Sequence, residues 1–402
     1  MALRSVTGRH FLQIPGPTNI PDRILRAMDR PVLDHRGPEL PELLGEVREG
    51  LKRLFQTTQG EIVLFPGSGT AGWEASIVNT LSPGDRVLAF NIGQFSHLYA
   101  ECARRLGMAV DEIDLPWGRG VSAQEVGDRL SGDAAHAYRA VLLVHNETAT
   151  GVTSDLGAIA EAVRAARHPA LLLVDAVSSL GSMEVDFDGW GLDVALTGSQ
   201  KGLMLPPGMA AVCIGRRALA ASERATCTRY FLDWRPVLDE HRRGYTPYTP
   251  ATLLIYGLRE ALRMLDEEGL PNVFARHRRL AEAVRRAVRA WGLALVCENA
   301  EECSSSLTAV RTPEGIDANQ VVHAAATRLN LSLGIGLGKL RGHAFRIGHL
   351  GALNDLEVIA TIAGCEMALA MNGARLKLGG GVAACQEFLL NQHLAPQEHA
   401  PR

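Results

Sequence analysis

The sequence predicts an α/β protein: a mostly parallel sheet sandwiched by helices, followed by a smaller C-terminal α/β domain. Three observations carry this. Short continuous apolar runs recur through the first half of the chain, and segments with an apolar residue every three to four positions separate most of them. The chain is also long, 402 residues with 47% apolar side chains, which at roughly 150 residues per domain leaves room for two or three domains and a large core. Unbroken apolar strands alternating with helices indicate strands covered on both faces, as in parallel sheets. Ligands of such sheets sit at the carboxyl ends of the strands.

The elements follow in order. Leu43, Leu44, Val47, Leu51, Leu54 and Phe55 fall on one face at helical spacing, predicting a helix over 38–56. Apolar runs then predict strands at 61–65, 86–90, 139–145, 170–174, 193–196 and 209–214, with helices over 94–107 and 154–167 between them. The pattern turns irregular over 226–250, where Pro236, Pro247 and Pro250 stand, and a long helix is expected over 253–268. Beyond it, 306–311 and 344–348 read as strands, and 317–329 and 354–371 as helices. The expected organisation is an N-terminal segment 1–20, a large domain 21–255 and a small domain 256–402, without internal repeats or low-complexity stretches.

Composition excludes several classes. With 41 Lys plus Arg against 44 Asp plus Glu, the net charge of −3 lacks the basic excess of a nucleic-acid binder, and 21% charged residues is far from a disordered composition. No run approaches the roughly 18 apolar residues of a membrane span, and no secretory leader is expected from MALRSVTGRHFLQIPGP. Seven scattered cysteines without a CxxC pair argue against a disulfide framework or zinc site, so the cytoplasm is the expected compartment. The 41 glycines lie between apolar runs and read as loop residues.

Residues 171–202 carry the most chemistry. Asp175 ends an apolar strand, and Lys201 follows a second one, inside the small and polar run Thr197-Gly198-Ser199-Gln200-Lys201-Gly202. A Schiff-base lysine must approach its cofactor closely, and an opposing carboxylate can hold a pyridinium nitrogen protonated. Singly, each residue reads more readily as a surface lysine or a strand-end cap; together they point to that chemistry. Pro66-Gly67-Ser68-Gly69-Thr70 lies between a strand and the segment 71–81. Backbone N–H groups of such a turn at a helix N-terminus can cradle a phosphate, although alone the turn is equally a simple cap. It is neither a Walker A loop nor a GxGxxG fingerprint.

Beyond these residues, PGPTNIPDRILRAM at 15–28, DHRGPE at 34–39, GQFSHL at 93–98, VHNETATGVTSD at 144–155, VDAVSSLGS at 174–182, TGSQKGLMLPPGM at 197–209, YTPATLLIYGLREAL at 248–262 and FRIGHLG at 345–351 extend over nearly the whole chain. These stretches resemble the serine–glyoxylate and alanine–glyoxylate aminotransferases, pyridoxal-phosphate enzymes of fold type I, class V, with a seven-stranded sheet. The resemblance implies pyridoxal 5′-phosphate on Lys201, with Asp175 at the pyridine nitrogen and Phe95 stacked on the ring. It implies phosphate contacts from Ser68, Gly69, Thr70 and Gln200, and ring contacts from Thr148 and Ser178. Thr249 and Tyr248 match groups reaching the phosphate from a neighbouring subunit, implying a homodimer.

Arg346 matches the arginine that binds the substrate α-carboxylate, a role suited to its planar two-pronged donor set. Arg36 matches a residue reaching substrate across the dimer, and His35 stands where relatives carry Tyr or His. The expected partners are small amino acids and 2-oxo acids. HNETATG, DHRGPE and GQFSHL resemble the serine–glyoxylate branch more than the alanine branch, so L-serine is the expected donor to glyoxylate. Other readings are alanine–glyoxylate transfer, pyridoxamine–pyruvate transfer, which the phosphate pattern of Ser68 and Thr70 opposes, and a lyase or cysteine desulfurase using Cys303. A cofactor-binding regulator would carry a further DNA-binding segment.

Overall fold

The structure, a computed structural model, describes residues 8–394. Its centre is a seven-stranded sheet in the spatial order Glu61–Gly67, Gly208–Ile214, Val194–Gly198, Leu171–Asp175, Tyr138–Val144, Arg86–Asn91, Ala109–Asp114. Gly208–Ile214 runs antiparallel to both neighbours, and every other pairing is parallel. Each predicted strand of this sheet is present, within one residue at its ends except at the carboxyl ends of Glu61–Gly67 and Val194–Gly198, which run two residues further.

The seventh strand, Ala109–Asp114, had no apolar run to mark it. It lies at the sheet edge and reads Ala-Val-Asp-Glu-Ile-Asp, largely half-buried. An edge strand meets water along one side and need not be continuously apolar.

Two apolar layers cover the sheet. The helix Glu39–Leu54 buries Leu43, Leu44, Val47, Leu51 and Leu54 in one of them, together with Ile255, Leu258, Ala261 and Leu262 of the helix Thr252–Glu268. The helices Gly69–Thr80 and Gln94–Arg105 supply Trp73, Ile77, Tyr99 and Ala103 to the other. The central strands Leu171–Asp175 and Val194–Gly198 are buried throughout, which is why they read as unbroken apolar runs.

A second sheet has the order Phe11–Gln13, Leu331–Ile335, Ala344–Gly348, Leu307–Arg311. Three of its strands come from the C-terminal part, and the fourth is supplied by the N-terminal segment, with Phe11 opposite Leu331 in parallel register. The helices Leu270–Ala290, Ala318–Leu329, Asp355–Met371 and Gly380–Leu394 pack around a separate apolar cluster against it. Phe11–Gln13 and Leu331–Ile335 were not expected from the sequence: short strands of three and five residues, the first pairing only with chain more than 300 residues away, leave little local signal.

Candidate active site

Asp175 is the last residue of its strand, and Lys201 lies three residues past the end of the neighbouring strand Val194–Gly198. Because the two strands are adjacent and parallel, both groups emerge at the same sheet edge. Asp175 Oδ2 accepts from Trp73 Nε1 at 2.7 Å and Oδ1 from the Val177 N–H at 2.7 Å. Burial pushes the carboxyl up to about 6, against the pull of those two donors. Trp73 is itself held by stacking on Tyr99, with centroids 5.4 Å apart, and the Tyr99 hydroxyl bonds Ser76 Oγ at 2.8 Å.

Lys201 is 9% exposed, and its ammonium donates to the carbonyl of Pro15. Burial first, and then the charge of Arg346, lower its amine to about 8, while Asp175 pulls the other way. The chain at Gly16 passes so close that an added Cβ there would sit 2.5 Å from Lys201 Nζ, at a φ of +119° that disfavours a side chain. The stretch Pro15-Gly16 therefore forms one wall of the lysine pocket.

The turn 67–70 lies against the turn 198–201. A Cβ on Gly198 would be 3.3 Å from the Gly69 nitrogen and 2.8 Å from Gln200 Oε1, and one on Gly69 would be 2.6 Å from Val177 Cγ2. Ser68 sits at the N-cap of Gly69–Thr80 in extended conformation, and its hydroxyl makes no capping bond. Ser68 and Thr70 are exposed, whereas Gln200 Oε1 is buried and has no protein partner. A helix N-terminus with free N–H groups and two hydroxyls is a set that accepts an anion.

Across the pocket, Thr148 Oγ1 donates to Ser178 Oγ at 2.9 Å, Asn146 Nδ2 donates to the same oxygen at 2.7 Å, and Ser178 Oγ donates to the Asn146 carbonyl. Arg346 stands in Ala344–Gly348 of the second sheet, 8% exposed. Its Nε and Nη1 donate to the carbonyls of Ile335 and Thr148, both at 2.9 Å. Burial lowers the guanidinium to about 10, with Glu147 opposing. Phe95 is half-buried in the first turn of Gln94–Arg105, where its N–H donates to Glu147.

Lys201, Asp175, Ser68, Gly69, Thr70, Gln200, Thr148, Ser178, Phe95 and Arg346 thus come from distant parts of the sequence to one region between the sheets. Tyr248, Thr249 and Arg36 are not tied into it by any hydrogen bond among the described residues. Tyr248 stacks on Phe231 at 4.7 Å and donates to its carbonyl, while Thr249 and Arg36 are exposed. Cys303 faces Cys297, both thiols donating to the Asn299 carbonyl, at 3.5 and 3.2 Å, and not Lys201. Sequence reasoning missed Trp73, Pro15, Asn146 and Glu147. Three of the four lie within the stretches PGPTNIPDRILRAM and VHNETATGVTSD, but their roles depend on contacts made only in three dimensions.

Pyridoxal phosphate fits this set. A lowered lysine amine would meet its aldehyde, a buried carboxylate its ring nitrogen, and the N–H groups and hydroxyls of the turn Ser68–Thr70 its phosphate. The aminotransferase class-V family model matches residues 10–344. The serine–glyoxylate aminotransferase of Methylorubrum extorquens is 47% identical over 400 residues, 98% of this chain and 100% of that protein. The L-aspartate–glyoxylate aminotransferase of Paracoccus denitrificans is also 47% identical, over 98% of this chain and 100% of its own. Among solved structures, the ureidoglycine–glyoxylate aminotransferase of Bacillus subtilis superposes with a TM-score of 0.89 at 31% identity, covering 96% of this chain and 100% of that one.

Proposed function

Since the chain belongs to the class-V aminotransferases and is an enzyme dependent on pyridoxal phosphate, we propose that it moves the amino group of a small L-amino acid, preferentially serine, to glyoxylate, giving hydroxypyruvate and glycine. The observation that carries the reading is the lysine pocket: Lys201, buried, close enough to Asp175 and Arg346 for both charges to shift its amine. When bound, the cofactor supplies an electron sink for the bond broken at the substrate Cα.

The residues divide the remaining work. Lys201 would hold the cofactor aldehyde covalently and, once freed, its amine would take the proton from the substrate Cα. A lowered pKa suits this, because a free amine is available near neutral pH. Asp175, oriented by Trp73 and Val177, keeps the ring nitrogen protonated. Phe95 would pack on the ring, Thr148 and Ser178 would lie at its polar edge, and Ser68, Gly69, Thr70 and Gln200 would hold the phosphate. Arg346, oriented by two carbonyls, binds the α-carboxylate shared by donor and acceptor. Two half-reactions at one centre give ping-pong kinetics.

Serine is preferred on the resemblance of HNETATG, DHRGPE and GQFSHL to the serine-using branch and on the M. extorquens relative. Aspartate is the second reading, supported by an equally identical relative, and it would require a second cation such as Arg36 for its side-chain carboxylate. The enzyme acts as a homodimer in which Tyr248, Thr249 and Arg36 reach the neighbouring site, a reading supported by the exposure of Thr249 and Arg36. Its compartment is the cytoplasm, a reading that rests on the seven scattered cysteines.

An absorbance titration tests the whole. Serine should convert the holoenzyme to its pyridoxamine form and glyoxylate should return it, with kcat/KM ranked serine above alanine and aspartate. A silent spectrum, or full activity in Lys201→Ala, would sink the assignment; aspartate ranked first would replace the donor. A monomeric sedimentation profile would remove the shared-site reading.

A further inference from the structure

Glu147 is fully buried, one position before Thr148, and comes from the hairpin Asn146–Glu147 paired with Val152–Thr153. Its Oε1 accepts from the N–H groups of Phe95 at 3.2 Å and Ala149 at 2.9 Å, and its Oε2 from Phe95 at 3.1 Å and Ser96 at 2.9 Å. Phe95 and Ser96 belong to the first turn of Gln94–Arg105, where backbone N–H groups have no partner within the helix. Gly93 admits this approach, since a Cβ there would lie 2.3 Å from Glu147 Cγ.

Glu147 caps these first-turn donors, since Ser96 Oγ accepts from the N–H groups of Ile92 and Gly93, at 3.0 Å each, which precede the helix; its origin sets it apart from an ordinary cap. Caps are commonly short polar side chains nearby in sequence, whereas Glu147 is a carboxylate brought from about 50 residues away into a site where burying a charge is costly unless its oxygens are fully bonded. What it joins is specific to the site. On one side is Phe95; on the other is the peptide of Thr148 and Ala149, whose carbonyl receives Arg346 Nη1.

The charges follow the same pattern. Glu147 is the acidic group acting on Arg346, yet the guanidinium bonds only carbonyls, those of Ile335 and Thr148. The Glu147 oxygens are taken up by backbone donors, so its charge offsets that of Arg346 without competing for the fork that a substrate carboxylate would use.

We propose that Glu147 is a positioning residue that locks the Phe95 ring and the Arg346 guanidinium into one unit, so that cofactor stacking and carboxylate binding depend on a single buried carboxylate. This rests on the aminotransferase reading above and assigns a role to a residue outside the reacting atoms. Glu147→Gln is the informative substitution, because it keeps the shape while turning an NH2 group toward the N–H donors of Phe95 and Ser96 or Ala149.

The test uses the full chain, with and without pyridoxal phosphate. In the cofactor-free Glu147→Gln variant, hydrogen exchange at the amides of residues 95–97 should quicken by about tenfold or more, the scale of one lost charged hydrogen bond. In the loaded enzyme, the cofactor Kd and the KM values for donor and glyoxylate should rise together by about tenfold, with a smaller change in kcat. The cofactor-affinity losses of Glu147→Gln and Phe95→Ala should be less than additive in the double variant. Wild-type Kd and KM values in Glu147→Gln, or strict additivity with Phe95→Ala, would overturn the proposal. Should Glu147→Gln not fold, Gly93→Ala, whose Cβ displaces the same carboxylate, carries the same measurements. A wild-type chain that fails to take up pyridoxal phosphate would instead refute the functional reading.

Discussion

Asp175 Oδ2 lies 2.7 Å from Trp73 Nε1, and this indole donor comes from the helix Gly69–Thr80, which begins at the turn 67–70. The bond fixes the carboxylate in a place where burial alone would favour its neutral form. A second donor, the Val177 N–H, makes the restraint two-sided.

Asp175→Asn should abolish transamination while changing how stability depends on pH. The folded carboxyl is raised to about 6 from 3.8, so the folded protein is penalised when this group must ionise. That penalty is absent below pH 3.8, develops between 3.8 and 6 and is complete above 6. A shift of this size corresponds to on the order of 3 kcal/mol. Without cofactor, the Asn variant should therefore gain stability relative to the parent as pH rises from 4 to 6, measured by denaturant unfolding. A difference independent of pH would contradict the buried, raised carboxyl.

Covalent attachment of pyridoxal phosphate to the cofactor-free protein should quicken with rising pH through a midpoint near 8, because the neutral amine is the nucleophile and burial lowers Lys201 to about 8. Stopped-flow absorbance across the pH range measures this directly. Arg346→Ala should move the midpoint upward, since the Arg346 charge helps depress the amine. A midpoint close to the ordinary lysine value would exclude a perturbed Lys201.

Arg346→Lys should raise KM for both amino donor and glyoxylate, by about 10- to 100-fold if a charged hydrogen bond worth roughly 1.5–3 kcal/mol is lost. A lysine cannot hold the Ile335 and Thr148 carbonyls and still offer a planar fork. Steady-state kinetics at saturating levels of one partner separates the two constants. An effect on only one of them would mean that the carboxylates bind at different groups.

Gly16→Ala should leave the fold largely intact but displace Lys201, because the new Cβ would press on its Cδ and Nζ at 2.5 Å. The expected readout is loss of covalent cofactor with far-ultraviolet circular dichroism unchanged. Normal cofactor loading would show that the wall at Pro15-Gly16 does not shape the pocket.

The sequence alone determined the central architecture. Fully buried parallel strands must be apolar on both faces, so 139–145, 170–174 and 193–196 announced themselves, and the strand-end positions of Asp175 and Lys201 followed. Ala109–Asp114, Phe11–Gln13 and Leu331–Ile335 did not, because an edge strand or a short strand paired with distant chain leaves no periodic trace. The resemblance added Ser68 and Arg346 to Lys201 and Asp175, and the proposed function gives each of the four a reacting or binding role. Tertiary structure decided what holds them: Trp73 on Asp175, Pro15 on Lys201, and Glu147 between Phe95 and the Arg346 anchor. Such contacts join residues from about 50 to nearly 200 positions apart, and whether a buried donor finds its acceptor depends on how the chain packs, which no local pattern of residues encodes.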